Sequence, residues 1–408
     1  MYDRARLIDL LRQRRPGHTL PQAFYVDSEV YALDLDAVFH RTWNMVGFDG
    51  ELARAGSYLA VQVGRSPIVV LRNNAGEIVA FHNTCRHRGA QICRAGAGRV
   101  TRLVCPYHQW SYDLNGELRT ARGSGGDFDF GSHGLIRVRV EVVAGAIYVA
   151  LSDDAPDFSG FRRTLEPALR PYNFSDLKVA HVAEYDEQAN WKLVMENARE
   201  CHHCGARHPE FNEIFPNEFI AEGVPFPEGE SETPFMRRMR ELGFVTEGEI
   251  ADWWQVGRIR MKEGCVSFSA DGRPLVARPL IRSNGGALGT LRWAIEPNNF
   301  CHVTSDSVFM FNANPLGPST TRVTAKWLVH KDAVEGVDYH VDRLIHLWNQ
   351  TNLQDRELAE NNQCGINGVG YAPGPYSVNA EPYVRRFVDW YCAQIGRVLH
   401  SPVAGSAL

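Results

Sequence analysis

Two short runs have residue types and spacing suited to holding a metal: Cys85-Arg86-His87 and, after seventeen intervening residues, Cys105-Pro106-Tyr107-His108. One thiolate and one imidazole from each loop can close a single site. Zinc would accept the same ligands in a tetrahedral structural site. Three features favour an iron–sulfur cluster. A Cys/His pair from each loop suits a two-iron cluster with both histidines on one iron and both cysteines on the other. Each pair follows a strand-like run and so falls at a hairpin tip. Gly89 and Pro106 supply tight backbone that lets amides approach cluster sulfurs. Cys93, in the same loop, reads as a buried small hydrophobe.

A second constellation lies within residues 190–209, NWKLVMENARECHHCGARHP. Two neutral imidazoles and one carboxylate, with positions left open, make the facial set that binds Fe(II) for oxygen activation. Glu200, His203 and His208 have the spacing E-x2-H-x4-H. At roughly 100° per residue Glu200 and His203 share a helix face, whereas His203 and His208 stand roughly 140° apart. A straight helix would not aim both imidazoles at one ion. Gly205, and the extended bias of the residue before Pro209, can break the helix and swing His208 back. Cys201, His202 and Cys204 offer a competing thiolate site, but adjacent helical residues point to different faces and rarely chelate one ion.

A third protein ligand has to come from elsewhere. A helical pattern near 338–363 contains Asp355, Glu357 and Glu360. Trp348, Asn352, Asp355 and Ala359 recur at 4-3-4 spacing, so Asp355 follows the inward stripe and Glu357 lies off it. A solvated helix face is the plain alternative for all three acids.

The elements that must position these residues fall into two groups, as 408 residues lead one to expect. Residues 20–43 read as an extended stretch and then a helix with Asp34 or Asp36 as N-cap. From 44 to 152, short β-branched runs alternate with Gly and Asn, and Asn74-Ala75-Gly76 and Asn115-Gly116 look like hairpin turns. Beyond Ser152–Ser159, helical segments near 161–171, 190–207, 338–363 and 380–399 mix with strand-like runs near 264–269, 288–295, 300–312 and 319–330. Strands beside helices without βαβ alternation read as α+β. The Gly/Pro-rich stretch 221–235 reads as a loop.

Composition narrows the function classes. Hydrophobic residues make up 44%, which argues against disorder, and the net charge of −5 has no long basic run to suggest nucleic acid. The first twenty residues lack an apolar stretch long enough for a secretory signal, and Asp3 and Asp9 speak against a transit peptide. A short amphipathic helix is the better reading. No run of about 18 apolar residues suggests a membrane span. Nine cysteines at irregular spacing do not make a secreted disulfide scaffold. A soluble cytoplasmic protein acting on small molecules is expected.

The passage CRHRGAQIC…CPYHQWSYDLNGEL resembles the Rieske [2Fe–2S] domain nearly residue for residue. The run 190–209 resembles the signature of Rieske non-haem iron oxygenase α subunits, in which Tyr more often stands where this chain has His202. The resemblance covers nearly the whole chain. It implies that Cys85 and Cys105 ligate one cluster iron and His87 and His108 the other. The segment QDRELAENNQCGI resembles the family's carboxylate-ligand segment, which makes Asp355 the partner of His203 and His208 on the mononuclear Fe(II). It further implies an N-terminal helical segment (1–43) packing on the catalytic domain, an all-β Rieske domain (44–152), and a catalytic domain of helix-grip type (153–408). A homotrimer is implied, in which Glu200 is not a ligand but bridges towards a cluster histidine of the neighbouring subunit. Electrons would come from NADH or NADPH only through a separate flavin/ferredoxin-type reductase, since this chain shows no G-x-G-x-x-G nucleotide unit.

The C-terminal third resembles the branch that includes glycine betaine monooxygenase and stachydrine (proline betaine) demethylase. That implies hydroxylation of an N-methyl group of a small quaternary ammonium compound, with O2 as co-substrate, followed by loss of formaldehyde. A permanent cation needs aromatic faces or carboxylates around it. Trp253, Trp254, Phe309, Phe311 and Tyr371 are candidates for such a cage, each with core packing as its plain alternative. A substrate carboxylate would need a His or Arg donor, which the sequence does not single out. Two rivals are an aromatic-ring-hydroxylating dioxygenase with the same metals, and a non-catalytic iron–sulfur electron carrier or zinc-stabilised structural protein.

Overall fold

The computed structural model describes residues 2–216, 233–244, 248–281 and 288–401, so most of the expected loop at 221–235 lies outside the described residues. The chain divides into two compact units, one of residues 40–179 and one of 1–39 with 180–408.

The second unit opens with helices α1 (Arg4–Arg12), α2 (Ala23–Val26) and α3 (Ser28–Asp34). Neither Asp34 nor Asp36 is the cap expected from the sequence. Asp27 caps α3, accepting from the backbone N–H groups of Glu29 (2.7 Å) and Val30 (3.3 Å). Asp34 is instead fully buried. It accepts from Lys192 Nζ (2.6 Å), Trp191 Nε1 (2.8 Å) and the Tyr391 hydroxyl (2.6 Å), tying the N-terminal segment to two later helices.

In residues 40–179, strands β1 (Asn44–Phe48), β2 (Ser57–Val63), β3 (Ser66–Arg72), β4 (Ile78–His82) and β5 (Gly96–Arg99) are followed by β6 (Leu103–Val104), β7 (Ser111–Tyr112) and β8 (Leu118–Thr120), then β9 (Arg137–Val143) and β10 (Ala146–Ala150). They form a seven-stranded antiparallel sheet, β1-β10-β9-β4-β3-β2-β5, and a three-stranded sheet, β6-β7-β8. Both expected hairpin turns are present, with Gly76 and Gly116 at positive φ. Helix α4 (Ser159–Leu169) also belongs to this unit, which runs past the expected boundary at 152: the Phe158 and Phe161 rings pack on Tyr148 at 5.4 and 5.5 Å.

The second unit continues with β11 (Leu177–Glu187), helices α5 (Trp191–Asn197), α6 (Cys204–Arg207), α7 (Pro209–Asn212) and α8 (Pro234–Glu241), and strands β12 (Glu249–Ile250), β13 (Trp254–Ile259), β14 (Thr290–Ile295), β15 (Asn299–Val303), β16 (Val308–Gly317) and β17 (Thr320–His330). Helices α9 (Val341–Ile366) and α10 (Pro382–His400) complete it. The sheet order is β11-β17-β16-β15-β14-β13-β12, antiparallel from β12 to β17. Three strand readings need correction. Residues 264–269 turn at Gly264 (φ +83°) rather than extend, 300–312 splits at the Thr304–Ser307 turn, and β11, β12 and β13 had no counterpart in the sequence reading.

Candidate metal centres and active site

The two candidate metal-binding loops of the β unit are built alike. In the first, Cys85 N–H donates to the Ala90 carbonyl (2.8 Å) and the Cys85 carbonyl accepts from Gly89 N–H (3.0 Å). In the second, Cys105 N–H donates to the Trp110 carbonyl (2.8 Å) and its own carbonyl accepts from Gln109 N–H (3.0 Å). The left-handed residue is Gly89 in one loop (φ +76°) and Gln109 in the other (φ +60°). The second loop thus reaches without glycine the bend for which the first uses one.

Both loops deliver a buried cysteine, while His87 is exposed and His108 half-buried. The two imidazoles lie 4.7 Å apart by ring centroid, His87 stacked on Trp110 and His108 on Tyr107. Tyr112 closes the inner side, its hydroxyl 3.3 Å from Cys85 Sγ and accepting from Arg86 N–H at 3.0 Å. His108 Nδ1 is buried with no hydrogen-bond partner, in a ring whose centroid lies 4.7 Å from that of His87. A two-iron cluster held by two sulfurs and two nitrogens fits that donor set. Cys93 stands apart as a core residue, with burial pushing its thiol up to about 11.

In the second unit, Asn190 caps α5 by accepting from Lys192 N–H (2.9 Å). The helix expected over 190–207 ends at Asn197, and the chain then turns through Ala198–His203 before α6. His203 starts α6 and His208 ends it at φ −120° and ψ 72°, off helical geometry as the residue before Pro209 must be. Gly205 stays helical, so Pro209 makes the break. His203 Nε2 and His208 Nε2 consequently meet at 3.0 Å, and Asp355 Oδ1, from α9, lies 3.1 and 3.0 Å from them.

Those separations suit a small ion with octahedral preference. Donors about 2.1 Å from a metal lie about 3.0 Å apart on neighbouring octahedral vertices and about 3.4 Å apart on tetrahedral ones. His203, His208 and Asp355 would hold an octahedral ion by three atoms, the donor set used by non-haem iron oxygenases, and the ion would supply oxygen activation there. Each imidazole is turned by its outer nitrogen. His203 Nδ1–H donates to Glu200 Oε1 (2.5 Å) and His208 Nδ1–H to Gln354 Oε1 (2.7 Å), while Gln354 Nε2 donates to Glu210 (3.0 Å) and so fixes the amide's orientation. Without a metal, burial opposes charge on His203, but Asp355 and Glu200 prevail and raise it to about 9.

The other acids on α9 point elsewhere. Glu357 is exposed and pairs with Arg207, and Glu360 accepts from Gln188 N–H and Arg356. Cys204 Sγ lies near the two histidines, but it is joined to Cys201 Sγ in a disulfide and is not a free thiolate. His202 is exposed.

A cavity of about 390 Å³ opens beside the two histidines and Asp355. Its floor is one face of the sheet, read at period two: Gln255 and Ile259 on β13, Arg292 on β14, Phe300 and His302 on β15, and Phe311 on β16. The α9 side contributes Trp348, Thr351, Asn352 and Asp355. Phe300 and Phe311 are cross-strand partners stacked at 4.7 Å, and Phe309 lies flat against Trp348 at 4.3 Å. Glu187 also lines the cavity, its carboxyl pushed up to about 8 by burial and by the nearby Asp355 and Glu360.

Of the five cage candidates, Phe311 lines the cavity and Phe309 backs its Trp348 wall. Trp253, Trp254 and Tyr371 do not line it. The two tryptophans are buried, and the Tyr371 hydroxyl donates to the Leu20 carbonyl (2.8 Å), pinning the N-terminal segment. Sequence reasoning missed Gln354, Glu187, Phe300 and Arg292. A signal for the last two existed in the alternation Leu291-Arg292-Trp293 and Asn299-Phe300-Cys301-His302.

Comparison with known proteins adds the lineage. Residues 174–397 match the ring hydroxylating alpha subunit (catalytic domain) family, and residues 42–126 match the Rieske [2Fe-2S] domain. The chain is 44% identical over 396 residues to the glycine betaine monooxygenase oxygenase subunit of Chromohalobacter salexigens, covering 94% of this chain and 87% of that one. It is 38% identical over 392 residues to the protein of the same name from Pseudomonas aeruginosa, covering 94% and 90%. A crystal structure of the quaternary ammonium Rieske monooxygenase CntA superposes with a TM-score of 0.71 over 96% of this chain and 98% of that one; at 21% identity it speaks to fold. No helix among the described residues is long and apolar enough to cross a membrane. With both domain families matched and relatives this similar along almost its whole length, the chain belongs to the Rieske non-haem iron oxygenase α subunits, enzymes that carry a [2Fe–2S] cluster and a mononuclear iron and consume O2.

Proposed function

We propose that this chain is the oxygenase component that oxidises an N-methyl group of a small betaine, glycine betaine or proline betaine, and so removes the methyl as formaldehyde. The observation that carries this reading is the wall of Phe300, Phe311 and Trp348 directly beside His203, His208 and Asp355, supported by the naming of the 44%-identical relative. Aromatic faces attract a quaternary ammonium ion that cannot shed its charge.

His203, His208 and Asp355 are the proposed ligands of the mononuclear iron, and Cys85, His87, Cys105 and His108 those of the cluster. Bound iron would supply reductive activation of O2. The protein's own part is to hold a methyl group beside the metal site and keep the cation against the aromatic wall. In balance, the N-methyl ammonium, O2, two electrons and two protons give the N-hydroxymethyl ammonium and one water. The hemiaminal then breaks its C–N bond and releases formaldehyde, a proton and the tertiary amine. A flavin/ferredoxin-type reductase drawing on NADH or NADPH is the proposed electron source.

We place the enzyme as a homotrimer in the cytoplasm. Exposed His87, with Tyr107 exposed on the adjacent loop and Val104 at the end of β6, is the proposed face toward a second copy. Glu200, one oxygen already on His203, is the proposed link to a cluster histidine of that copy.

The test is formaldehyde release with O2, NADH and a surrogate reductase, offering proline betaine, glycine betaine, carnitine and choline separately. Substrate-dependent formaldehyde matching oxygen uptake supports N-demethylation. A cis-diol from an aromatic substrate, with no formaldehyde from any of the four, would make it a ring dioxygenase. Zinc in place of iron and labile sulfide would make it a structural protein.

A further inference from the structure

The cavity has a cationic residue that nothing above employs. Arg292 projects from β14 into it, between cross-strand neighbours Gly257 and His302, neither of which offers a negative charge. Its guanidinium carbon lies 5.4 Å from the centroid of Phe300. Its guanidinium has no hydrogen bond or ion pair to a described residue. The acid near it, Glu296, is occupied by Arg199, which bonds both carboxylate oxygens. His302 is held neutral by burial and by Arg292 itself, and its Nδ1 contacts Thr290 Oγ1 at 3.2 Å. Burial brings Arg292 down to about 10, which still leaves it charged at neutral pH.

Half-buried Arg292 faces the cavity with its nearest acid, Glu296, already bonded to Arg199, so its guanidinium is available to an anion, and a charge drawn out of water gains most from a partner. The guanidinium fork matches a carboxylate through two parallel hydrogen bonds. Phe300 is shared: it belongs to the aromatic wall and touches Arg292. The cation site and the anion site are therefore neighbours, with little room for a long spacer between them.

We infer that Arg292 receives the substrate's carboxylate and thereby selects short-spacer zwitterions, betaines with the carboxylate one carbon from the ammonium, over choline. This rests on the betaine reading above. Choline presents a hydroxyl where the carboxylate should lie, so it leaves the guanidinium unpaired and sets a second cation beside it.

The experiment separates the two charges. Calorimetric titration of the iron-loaded full chain uses glycine betaine, choline and their uncharged-carbon isosteres 3,3-dimethylbutanoate and 3,3-dimethylbutanol. In the wild type the carboxylate should tighten binding about 100-fold within each pair, the scale set by a desolvated charge pair. In Arg292→Met the carboxylate advantage should vanish from both pairs while the ammonium advantage persists, and choline binding with an unchanged cluster spectrum certifies the fold. Arg292→Lys, which keeps the charge but loses the fork, should retain part of the advantage and carries the same reading if the methionine variant does not fold. An undiminished carboxylate advantage in Arg292→Met would overturn the assignment while leaving N-demethylation intact. Loss of the advantage in a protein that never preferred ammonium would uphold Arg292 and sink the betaine reading instead.

Discussion

Glu200 holds His203 by its outer nitrogen: Oε1 accepts from Nδ1–H at 2.5 Å, which turns Nε2 toward His208 and Asp355. The same carboxylate is the proposed bridge to a neighbouring cluster, so its two duties can be separated by substitution. Glu200→Gln keeps an oxygen for Nδ1–H and should retain iron, yet slow cluster-to-iron electron transfer about 10- to 100-fold. Stopped-flow bleaching of the reduced cluster in a single turnover reads this directly. Wild-type transfer rates in the variant would rule out the bridge.

Asp355 is the only acid on α9 whose oxygen reaches both histidines among the described residues. Asp355→Ala should lose one iron per chain and all turnover, with labile sulfide and visible absorption unchanged. Gln354→Leu leaves the ligands in place but frees His208 Nδ1, and iron affinity should drop about 10- to 100-fold. Iron-to-sulfide ratios after dialysis against a chelator check both. Full iron in Asp355→Ala would assign the third ligand elsewhere.

The buried pair of Lys192 and Asp34 fastens the N-terminal segment to the helix that leads into the metal loop. Removing one partner strands a charge away from water. Lys192→Met should therefore cost about 3–5 kcal/mol. The Lys192→Met/Asp34→Asn double variant should cost less than the two single changes added together. Shifts in denaturation midpoint measure it, and strict additivity would deny the coupling.

Glu196 gives stability a pH dependence of known sign. Burial raises its carboxyl from 4.5 to about 7, although the hydroxyls of Tyr25 (3.0 Å) and Tyr376 (2.8 Å) donate to it. The folded state therefore favours the protonated form. Its contribution is fully present below pH 4.5 and is lost as pH rises through 7, a loss of about 3 kcal/mol. Relative to Glu196→Gln, the wild type should lose thermal stability between about pH 5 and 8. A gap that does not change with pH would refute the shift.

How much of this was legible in the sequence depended on how far apart the cooperating residues lie. Cys85 with His87, and Cys105 with His108, are local, and so is the break before Pro209 that lets His208 join His203. Asp355 could be reached from its helical stripe. Residue type alone misplaced much of the cage: Trp253, Trp254 and Tyr371 are aromatic, but Tyr371 is engaged by Leu20, more than three hundred residues away in sequence. Arg292 and Phe300 were hidden for a different reason. Their common face emerges only when the registers of β13 to β16 are aligned, and the reading that merged 300–312 into one strand erased that alignment. Asp34 was misread as a cap because its partners, Lys192 and Tyr391, come from distant helices.

The cavity's two sides differ in what they are free to change. Helix α9 supplies Trp348 to the aromatic wall, Asp355 to the proposed iron site and Gln354 to His208, all on one rigid body. Any tilt or slip that reshaped the wall would drag the metal with it. Strands β14 to β16 carry Arg292, Phe300 and Phe311 but no proposed iron ligand. New substrate ranges should thus arise by replacing side chains on the sheet, while the helix behaves as the inherited, unvarying half of the enzyme.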